Sequence, residues 1–270
     1  MGRPLSLIKA LDGVAFELLS TLMIFNLYPL GFREDRSSFY LPSPSQKRPI
    51  LLLHGIFHNH SAFFGIKRRL KRWGWPHIYT MNLATYCKGI PHLAEEVQTQ
   101  VADILKKTHA SKIDIIAHSL GGIIARYYIQ HLGGDLNVKH VITLGTPHQG
   151  TLLSSFGVGK SIKDLKKKSG IIHNLNSKPL PRFVKFISFW SPYDTLVIPT
   201  KNARMKMTQK CRHNVKNIRV SYAGHAGLLF SEAVCAKIAS YLDPNSKYPS
   251  IIDAKKSVFK KFSIYSLIST

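Results

Sequence analysis

The sequence predicts an α/β fold in which a mostly parallel sheet is flanked by helices. Its apolar strand-like runs are continuous, which is typical of parallel strands that are buried on both faces. Segments with apolar residues at helical spacing lie between these runs. With 270 residues the chain is long enough for one domain with a large core, which we place at residues 41–245.

The predicted elements alternate between strand and helix along this domain, as expected for a sheet with helices on both faces. The strand-like runs occupy residues 49–53, 77–81, 115–117, 138–144, 184–190 and 218–222. Apolar residues at helical spacing occur at Phe63, Ile66, Leu70 and Trp73, and again at Leu93, Val97, Val101, Ile104 and Leu105. We interpret these side chains as core.

The third strand-like run leads into a serine, Ser119, within residues 115–122 (IIAHSLGG). A tight turn from a strand into a helix requires small residues two positions before and two positions after the serine. Ala117 and Gly121 meet this requirement. Such a turn exposes the serine hydroxyl and places the N–H groups of the following helix behind it. The pattern therefore predicts Ser119 as a nucleophile.

A serine nucleophile needs a base and a group that orients the base. After this strand–turn–helix motif the acid usually comes next in the chain and the histidine last. The carboxylates between Ser119 and the last histidine are Asp135, Asp164 and Asp194. Asp135 follows two glycines in a turn, and Asp164 lies among lysines, where it suits an ion pair or a helix cap. Asp194 instead follows a strand-like run, at the edge where parallel sheets carry their functional groups.

Two histidines remain beyond Asp194, namely His213 and His225. His213 lies in a basic stretch before a strand-like run, whereas His225 follows that run and lies close to two glycines. We therefore predict a triad of Ser119, Asp194 and His225. In this triad His225 accepts the proton of the attacking serine and returns it to the leaving alcohol, and Asp194 holds the imidazole in one tautomer.

The first strand-like run ends in a His-Gly turn within residues 49–57 (PILLLHGIF). We expect the backbone N–H of Ile56 and that of Leu120 to form an oxyanion hole, in which each donor contributes about 3–4 kcal/mol to transition-state stabilisation. His54 is expected to support this turn by hydrogen bonding rather than to act as a base.

These motifs together resemble the bacterial-type lipases of the α/β-hydrolase superfamily, including triacylglycerol lipases and inositol-deacylase-like esterases. The resemblance covers roughly residues 48–242 and rests on residues 53–56 (LHGI), 117–122 (AHSLGG), 143–150 (TLGTPHQG), 194–199 (DTLVIP) and 224–225 (GH). It implies an α/β-hydrolase fold and a lipid ester substrate. It gives His148 no catalytic role, and it implies neither a cofactor nor a required metal. We interpret His58 and His60 as loop residues, with contact to substrate or metal as the alternative.

The regular order of elements is interrupted at residues 151–182, which mix glycines and lysines with isolated apolar residues. In lipases this region forms a cap beside the active site. Two interpretations remain open for it. One is a mobile lid that exposes apolar surface at a lipid interface, and the other is a fixed segment that shapes the pocket.

Basic residues exceed acidic ones by 24, and the sequence pI is about 10.1. The excess is clustered at residues 67–72, 160–168 and 255–261. Such a surface attracts anionic partners, and a membrane surface fits a lipid substrate better than nucleic acid does. The basic tail at residues 246–270 has apolar residues on one predicted helical face, as in interfacial helices. The alternative is a general basic bias of the source proteome.

The N-terminal segment, residues 1–40, is strongly apolar from Gly13 to Phe32, where Glu17 is the only charged residue. Three interpretations compete for it: an uncleaved anchor, an interfacial helix, and a helix packed on the domain. The three cysteines are widely separated and predict no disulfide framework. The sequence leaves membrane-associated, secreted and cytoplasmic locations open, together with the oligomeric state.

The sequence therefore predicts a serine hydrolase that cleaves carboxylic esters of fatty acyl chains through an acyl-enzyme on Ser119. The alternatives within the same chemistry are an acyltransferase and a thioesterase. A catalytically silent protein that binds lipid or nucleic acid through its basic surface is the alternative from another class.

Overall fold

Six strands form one parallel sheet in the part of the chain that the computed structural model describes, namely residues 3–32, 47–155, 157, 159–207 and 211–245. The predicted basic tail at 246–270 lies outside the described residues, as do positions 33–40 of the N-terminal segment. The strands are β1 (Ile50–Leu53), β2 (Ile78–Met81), β3 (Ile113–His118), β4 (Val138–Leu144), β5 (Lys185–Trp190) and β6 (Val215–Arg219). Their order across the sheet is β2-β1-β3-β4-β5-β6.

Helices connect these strands and cover both faces of the sheet. They are α1 (Arg3–Leu27), α2 (Phe64–Arg72), α3 (Ile90–Thr108), α4 (Leu120–His131), α5 (Lys160–Asp164), α6 (Gly170–Ser177), α7 (Gly227–Phe230) and α8 (Glu232–Leu242). The predicted α/β fold is confirmed.

The alternation of side chains along each strand divides the core between the two faces. Leu51 and Leu53 pack with buried side chains of α3 and α4 on one face. Ile50 and Leu52 pack with buried side chains of α2 and α8 on the other. Because both faces are covered, the strands are apolar throughout, which explains the continuous runs in the sequence.

One strand begins earlier than the sequence predicts. The apolar run indicated a strand at residues 218–222, but β6 begins at Val215 and ends at Arg219. Its register against β5 runs from the pair Phe186 and Val215 to the pair Trp190 and Arg219. The length of this edge strand therefore follows its neighbour, and the residues after Arg219 are left for a loop.

The cap segment carries a 3-10 helix (Leu152–Ser155) followed by α5 and α6. It is packed against the domain through four buried side chains, Ile162, Leu165, Ile172 and Leu175. The Asp164 carboxylate accepts a hydrogen bond of 3.0 Å from the N–H of Ile90, the first residue of α3. Asp164 thus caps a helix, as its surroundings in the sequence suggested.

Helix α1 packs on the loops at the carboxyl edge of the sheet, and a short 3-10 helix (Tyr28–Phe32) continues it. Phe16, Ser20 and Ile24 are buried and form its inner face. Within the described residues, Gly13–Phe32 is the one segment that is long and apolar enough to cross a membrane, and 22% of its scored window is buried inside the protein.

Candidate active site

Ser119 occupies a strained turn between β3 and α4, with φ 52° and ψ −123°. A non-glycine residue with positive φ is uncommon and is typical of functional turns. A Cβ at Gly121 would lie 2.4 Å from the carbonyl oxygen of Leu53. Only glycine at that position therefore lets the start of α4 pack against the end of β1. The turn has the geometry that the sequence predicts for the nucleophile.

Asp194 and His225 form a buried pair at the same edge of the sheet. Nδ1 of His225 lies 2.9 Å from Oδ2 and 3.0 Å from Oδ1 of Asp194. The N–H groups of Leu196 and Val197 donate to Oδ1 of Asp194 at 2.9 and 2.8 Å, which fixes the carboxylate. Since Nδ1–H donates to Asp194, Nε2 is the nitrogen left to act as a base.

The pKa of His225 is raised above the ordinary value of a histidine. Burial alone lowers it, but the charge of Asp194 and the hydrogen bond to it outweigh burial, and the charge of Glu17 adds to their effect. The protonated form of His225 is therefore stabilised at this position.

Ser119 lies near this pair, because its neighbour His118 contacts His225. The rings of His118 and His225 lie 4.6 Å apart, centroid to centroid, and Nε2 of His118 donates to the backbone oxygen of His225 at 3.1 Å. Burial and the nearby His225 hold the pKa of His118 well below its usual range, so that His118 is neutral. Among the described residues, the Ser119 hydroxyl makes no hydrogen bond to His225.

Two of the rejected candidates, Asp135 and His213, lie at the opposite edge of the sheet. Asp135 is in the 3-10 helix Gly134–Leu136, directly before β4. His213 is exposed before β6, and its backbone oxygen accepts a hydrogen bond from Lys185. Both precede the amino ends of strands, whereas Asp194 and His225 follow carboxyl ends.

The turn after β1 lies against the serine. A Cβ at Gly55 would lie 2.8 Å from Cβ of Ser119, so glycine permits the close approach of this backbone. The N–H of Ile56 follows directly, and it donates no hydrogen bond within the described part of the chain. The N–H of Leu120 is the first of α4 and has no acceptor in the helix.

His54 supports this turn, as predicted. Its Nδ1–H donates to the oxygen of Gly55 at 2.7 Å, and its Nε2 accepts from the N–H of Leu83 at 2.8 Å. Burial lowers its pKa to about 4, so the ring is neutral. His58 is also kept neutral, because burial lowers its pKa to about 4. No cluster of three or more metal-ligating side chains occurs in the described ranges.

Comparison with known proteins places these features in a family context. The family model for palmitoyl protein thioesterases matches residues 49–180, slightly less than half of the chain. Triacylglycerol lipases of Pseudarthrobacter phenanthrenivorans and Burkholderia plantarii are 32% identical over 116 residues, which is 40% of this chain. The matched region spans only about a third of those lipases, 35% and 32% of their lengths.

Solved structures share the fold over about three quarters of the chain. A mature lipase of Bacillus licheniformis aligns with a TM-score of 0.62 at 17% identity, covering 74% of this chain and 94% of that lipase. Lipase B of Aspergillus fumigatus aligns with a TM-score of 0.63 at 15% identity, covering 78% of this chain and 57% of that one. The chain has the α/β-hydrolase fold of these lipases.

The protein has one residue near the site that the sequence analysis missed. Both carboxylate oxygens of Glu17, on α1, accept hydrogen bonds of 2.8 Å from the N–H groups of Ala226 and Gly227, directly after His225. A Cβ at Gly224 would lie 2.5 Å from Cδ of Glu17, so this glycine provides the space for the carboxylate. In the sequence, Gly224 beside His225 was the available signal of a close contact, but it did not identify Glu17 as the contacting residue.

The protein also buries a cation, Arg126 of α4, beneath its cap. The guanidinium donates to the backbone oxygen of Leu175 at 2.6 Å and to Asn176 and His148 at 3.3–3.4 Å. Burial lowers its pKa to about 10, which keeps it charged near neutral pH. Nε2 of His148 bonds the hydroxyl of Thr143 at 2.9 Å. His148 therefore joins β4 to the cap, which agrees with a structural role.

Proposed function

We propose that this α/β-hydrolase cleaves carboxylic esters of fatty acyl chains through an acyl-enzyme on Ser119. Oγ of Ser119 attacks the acyl carbon while Nε2 of His225 takes the hydroxyl proton. The oxyanion that forms accepts hydrogen bonds from the N–H groups of Ile56 and Leu120. Asp194 keeps Nδ1 protonated and stabilises the imidazolium.

The tetrahedral intermediate collapses by breaking the bond between the acyl carbon and the alcohol oxygen. His225 gives its proton to that oxygen, the alcohol leaves, and the acyl group stays on Ser119. Water then attacks the acyl carbon, with His225 again as the base, and the acid is released as Ser119 regains its proton. Each proton taken by His225 is returned, so the enzyme ends in its initial state.

The proposal rests chiefly on one observation: the strained Ser119 turn and the buried pair of His225 and Asp194 lie at the carboxyl edge of one parallel sheet. A buried histidine paired with a carboxylate, at the same edge of the sheet as a serine in a strained turn, is the arrangement that acyl transfer needs. The similarity to triacylglycerol lipases supports an ester of a fatty acid as the substrate.

A thioester is the second candidate substrate, because the matching family model describes palmitoyl protein thioesterases. The same residues serve both substrates, since a thioester differs only in its leaving group, a thiol instead of an alcohol. Fatty acyl chains are common to both candidates. The two therefore differ in the leaving-group side of the site and not in the catalytic residues.

Hydrolysis of p-nitrophenyl esters of increasing chain length, beside a palmitoyl thioester, tests the proposal. We expect turnover by the wild type and its loss, by at least about 10³-fold, in Ser119→Ala. Asp135→Asn is the matched control, because Asp135 lies at the opposite edge of the sheet. Folded wild-type protein that turns over neither class of substrate would contradict the proposal.

The same assay separates the remaining alternatives. An acyltransferase would form a new ester when an alcohol is added, at the expense of the free acid. A protein that only binds lipid or nucleic acid would show salt-sensitive binding that is unchanged in Ser119→Ala, without any product.

A further inference from the structure

Helix α1 runs along the catalytic edge of the sheet. Glu17 bonds the loop after β6, and a Cβ at Gly13 would lie 3.8 Å from Tyr193 in the loop after β5. At the other end, the oxygen of Tyr28 accepts from the side chain of Asn59 after β1, and the oxygen of Gly31 accepts from Asn82 after β2. The segment thus contacts loops from both halves of the sheet.

The dimensions agree with this path. Six strands about 4.8 Å apart make an edge of roughly 24 Å, and the helical stretch from Gly13 to Leu27 is about 21 Å long. Helix α1 therefore extends along nearly the whole edge that carries Ser119, Asp194 and His225.

The outer face of α1 is apolar and exposed. Leu18, Leu22 and Phe25 are spaced by four and three residues, which places them on one stripe, and they are 63%, 58% and 70% exposed. Val14 extends this stripe toward the N-terminus, and Phe32 lies exposed beyond the end of the helix. A monomeric soluble protein rarely shows a continuous apolar surface of this kind unless it binds something.

The single charge of this segment points inward. Glu17 is the only charged residue from Gly13 to Phe32, and its carboxylate is bonded to the N–H groups of Ala226 and Gly227. The outer stripe is thereby left free of charge, while the carboxylate is held by the loop of His225.

A second exposed apolar set borders the catalytic site on the same edge. It includes Phe57 after β1 and Tyr86 after β2, whose rings lie 6.0 Å apart, and Leu196 and Ile198 after β5. Leu152, after β4, belongs to the same set. The hydroxyl of Thr151 donates to the oxygen of Leu196 and accepts from the N–H of Ile198, which joins these loops.

Positive charge lies beside this second exposed apolar set, which forms the rim of the site. A Cβ at Gly159 would lie 3.1 Å from the oxygen of Tyr86, and the basic cluster at residues 160–168 begins at the next residue. The whole chain carries a net charge of +24. An apolar face with basic neighbours is complementary to an anionic phospholipid surface, whose headgroups are negative and whose interior is hydrocarbon.

We propose that the catalytic edge docks on an anionic phospholipid membrane, with α1 lying in the plane of the interface and the rim of the site facing the lipid. This inference rests on the proposed function, because it brings the lipid ester to the triad without transfer through water. A membrane-spanning α1 is disfavoured by Glu17. Spanning would pull the carboxylate from its two N–H donors into hydrocarbon.

Vesicle sedimentation with the full-length protein tests the docking. The probes are vesicles of phosphatidylcholine alone and vesicles with added phosphatidylglycerol. We expect binding to the anionic vesicles, weakened by salt, and a loss of at least about tenfold in affinity for the double variant Leu22→Glu, Phe25→Asp. Phe183→Asp is the matched control, since Phe183 is 77% exposed but precedes β5, at the opposite edge.

A soluble short-chain ester separates docking from catalysis, because its hydrolysis needs no membrane. We expect the double variant and Phe183→Asp to hydrolyse it like the wild type. Equal vesicle binding by the double variant and the wild type would overturn the docking proposal, even with normal hydrolysis. Absence of hydrolysis by the wild type would instead count against the proposed function.

Two further outcomes would also overturn the docking proposal. Resistance of the vesicle-bound protein to alkaline carbonate would indicate a spanning segment. A stable dimer that Phe25→Asp dissociates would indicate that a second copy of the chain covers this face. We expect release by carbonate and no such dimer.

Discussion

Glu17→Gln removes one charge near His225 with little change in side-chain size. The carboxylate accepts two hydrogen bonds of 2.8 Å, from Ala226 and Gly227. Glutamine offers one carbonyl oxygen, so one of these N–H groups would face an NH₂ group instead. A hydrogen bond to a charged group contributes about 1.5–3 kcal/mol, and Glu17 is only partly buried. We expect the free energy of unfolding to fall by about 1–2 kcal/mol.

The same change shifts the pH dependence of activity. Glu17 raises the pKa of His225, and the proposed base must be neutral to accept the serine proton. In the wild type we expect kcat/KM to fall as the pH drops through this raised pKa. Without the charge of Glu17 the pKa decreases, so the acid limb of the profile moves to lower pH.

The measurements are kcat/KM against pH, with a soluble ester, and urea denaturation of the same proteins. Glu232→Gln is the matched control, because Glu232 begins α8 close to this loop but makes no hydrogen bond to it. Glu17→Asp tests rescue, since it keeps the charge and shortens the reach. An acid limb that stays in place in Glu17→Gln, with unchanged unfolding, would refute the role assigned to this residue.

Three further predictions concern the proposed triad, the cap and the turn at Ser119. Asp194→Asn should lower kcat/KM by on the order of 10³–10⁴-fold without unfolding the protein, as measured by ester kinetics and circular dichroism. Arg126→Ala should lower the free energy of unfolding by about 2–4 kcal/mol in urea, because it removes the buried hydrogen bonds of the guanidinium to Leu175 and Asn176 in the cap. Gly121→Ala should prevent a stable fold, whereas Gly170→Ala, which has nothing within 4 Å of the new Cβ, should raise stability by about 0.5–1 kcal/mol. Comparing their melting temperatures checks this pair.

The strands and the turn at Ser119 were predictable from the sequence, because local burial and local backbone geometry determine their residues. Strands that are buried on both faces must be apolar throughout, and the small residues around Ser119 follow from the tightness of its turn. The choice of Asp194 was also possible from the sequence, since few carboxylates follow the serine. The assignment of this acid and of His225 to the triad stays a prediction until the variants are measured.

The contacts that the sequence did not reveal join distant positions. Glu17 and Ala226 are 209 positions apart. No local pattern links a carboxylate in an apolar helix to a glycine-rich loop near the other end of the chain. Arg126 was missed for a related reason, because two of its acceptors are the backbone oxygens of His148 and Leu175, and a backbone oxygen carries no residue identity. The start of β6 depended on its neighbour in the sheet rather than on its own composition.

Composition alone also left three interpretations of α1 open, because the helix is apolar around most of its circumference. The position of Glu17 distinguishes them, and an exchange of two adjacent residues tests this. The double variant Glu17→Leu, Leu18→Glu has the same composition and the same mean hydropathy as the wild type. A spanning anchor, which depends on these averages, would bind membranes as before. An in-plane helix would turn the charge outward, so we expect weaker binding to anionic vesicles together with a shifted acid limb, because the loop of His225 loses its carboxylate. Vesicle sedimentation and the pH profile of the exchanged variant therefore decide between an interpretation based on composition and one based on position.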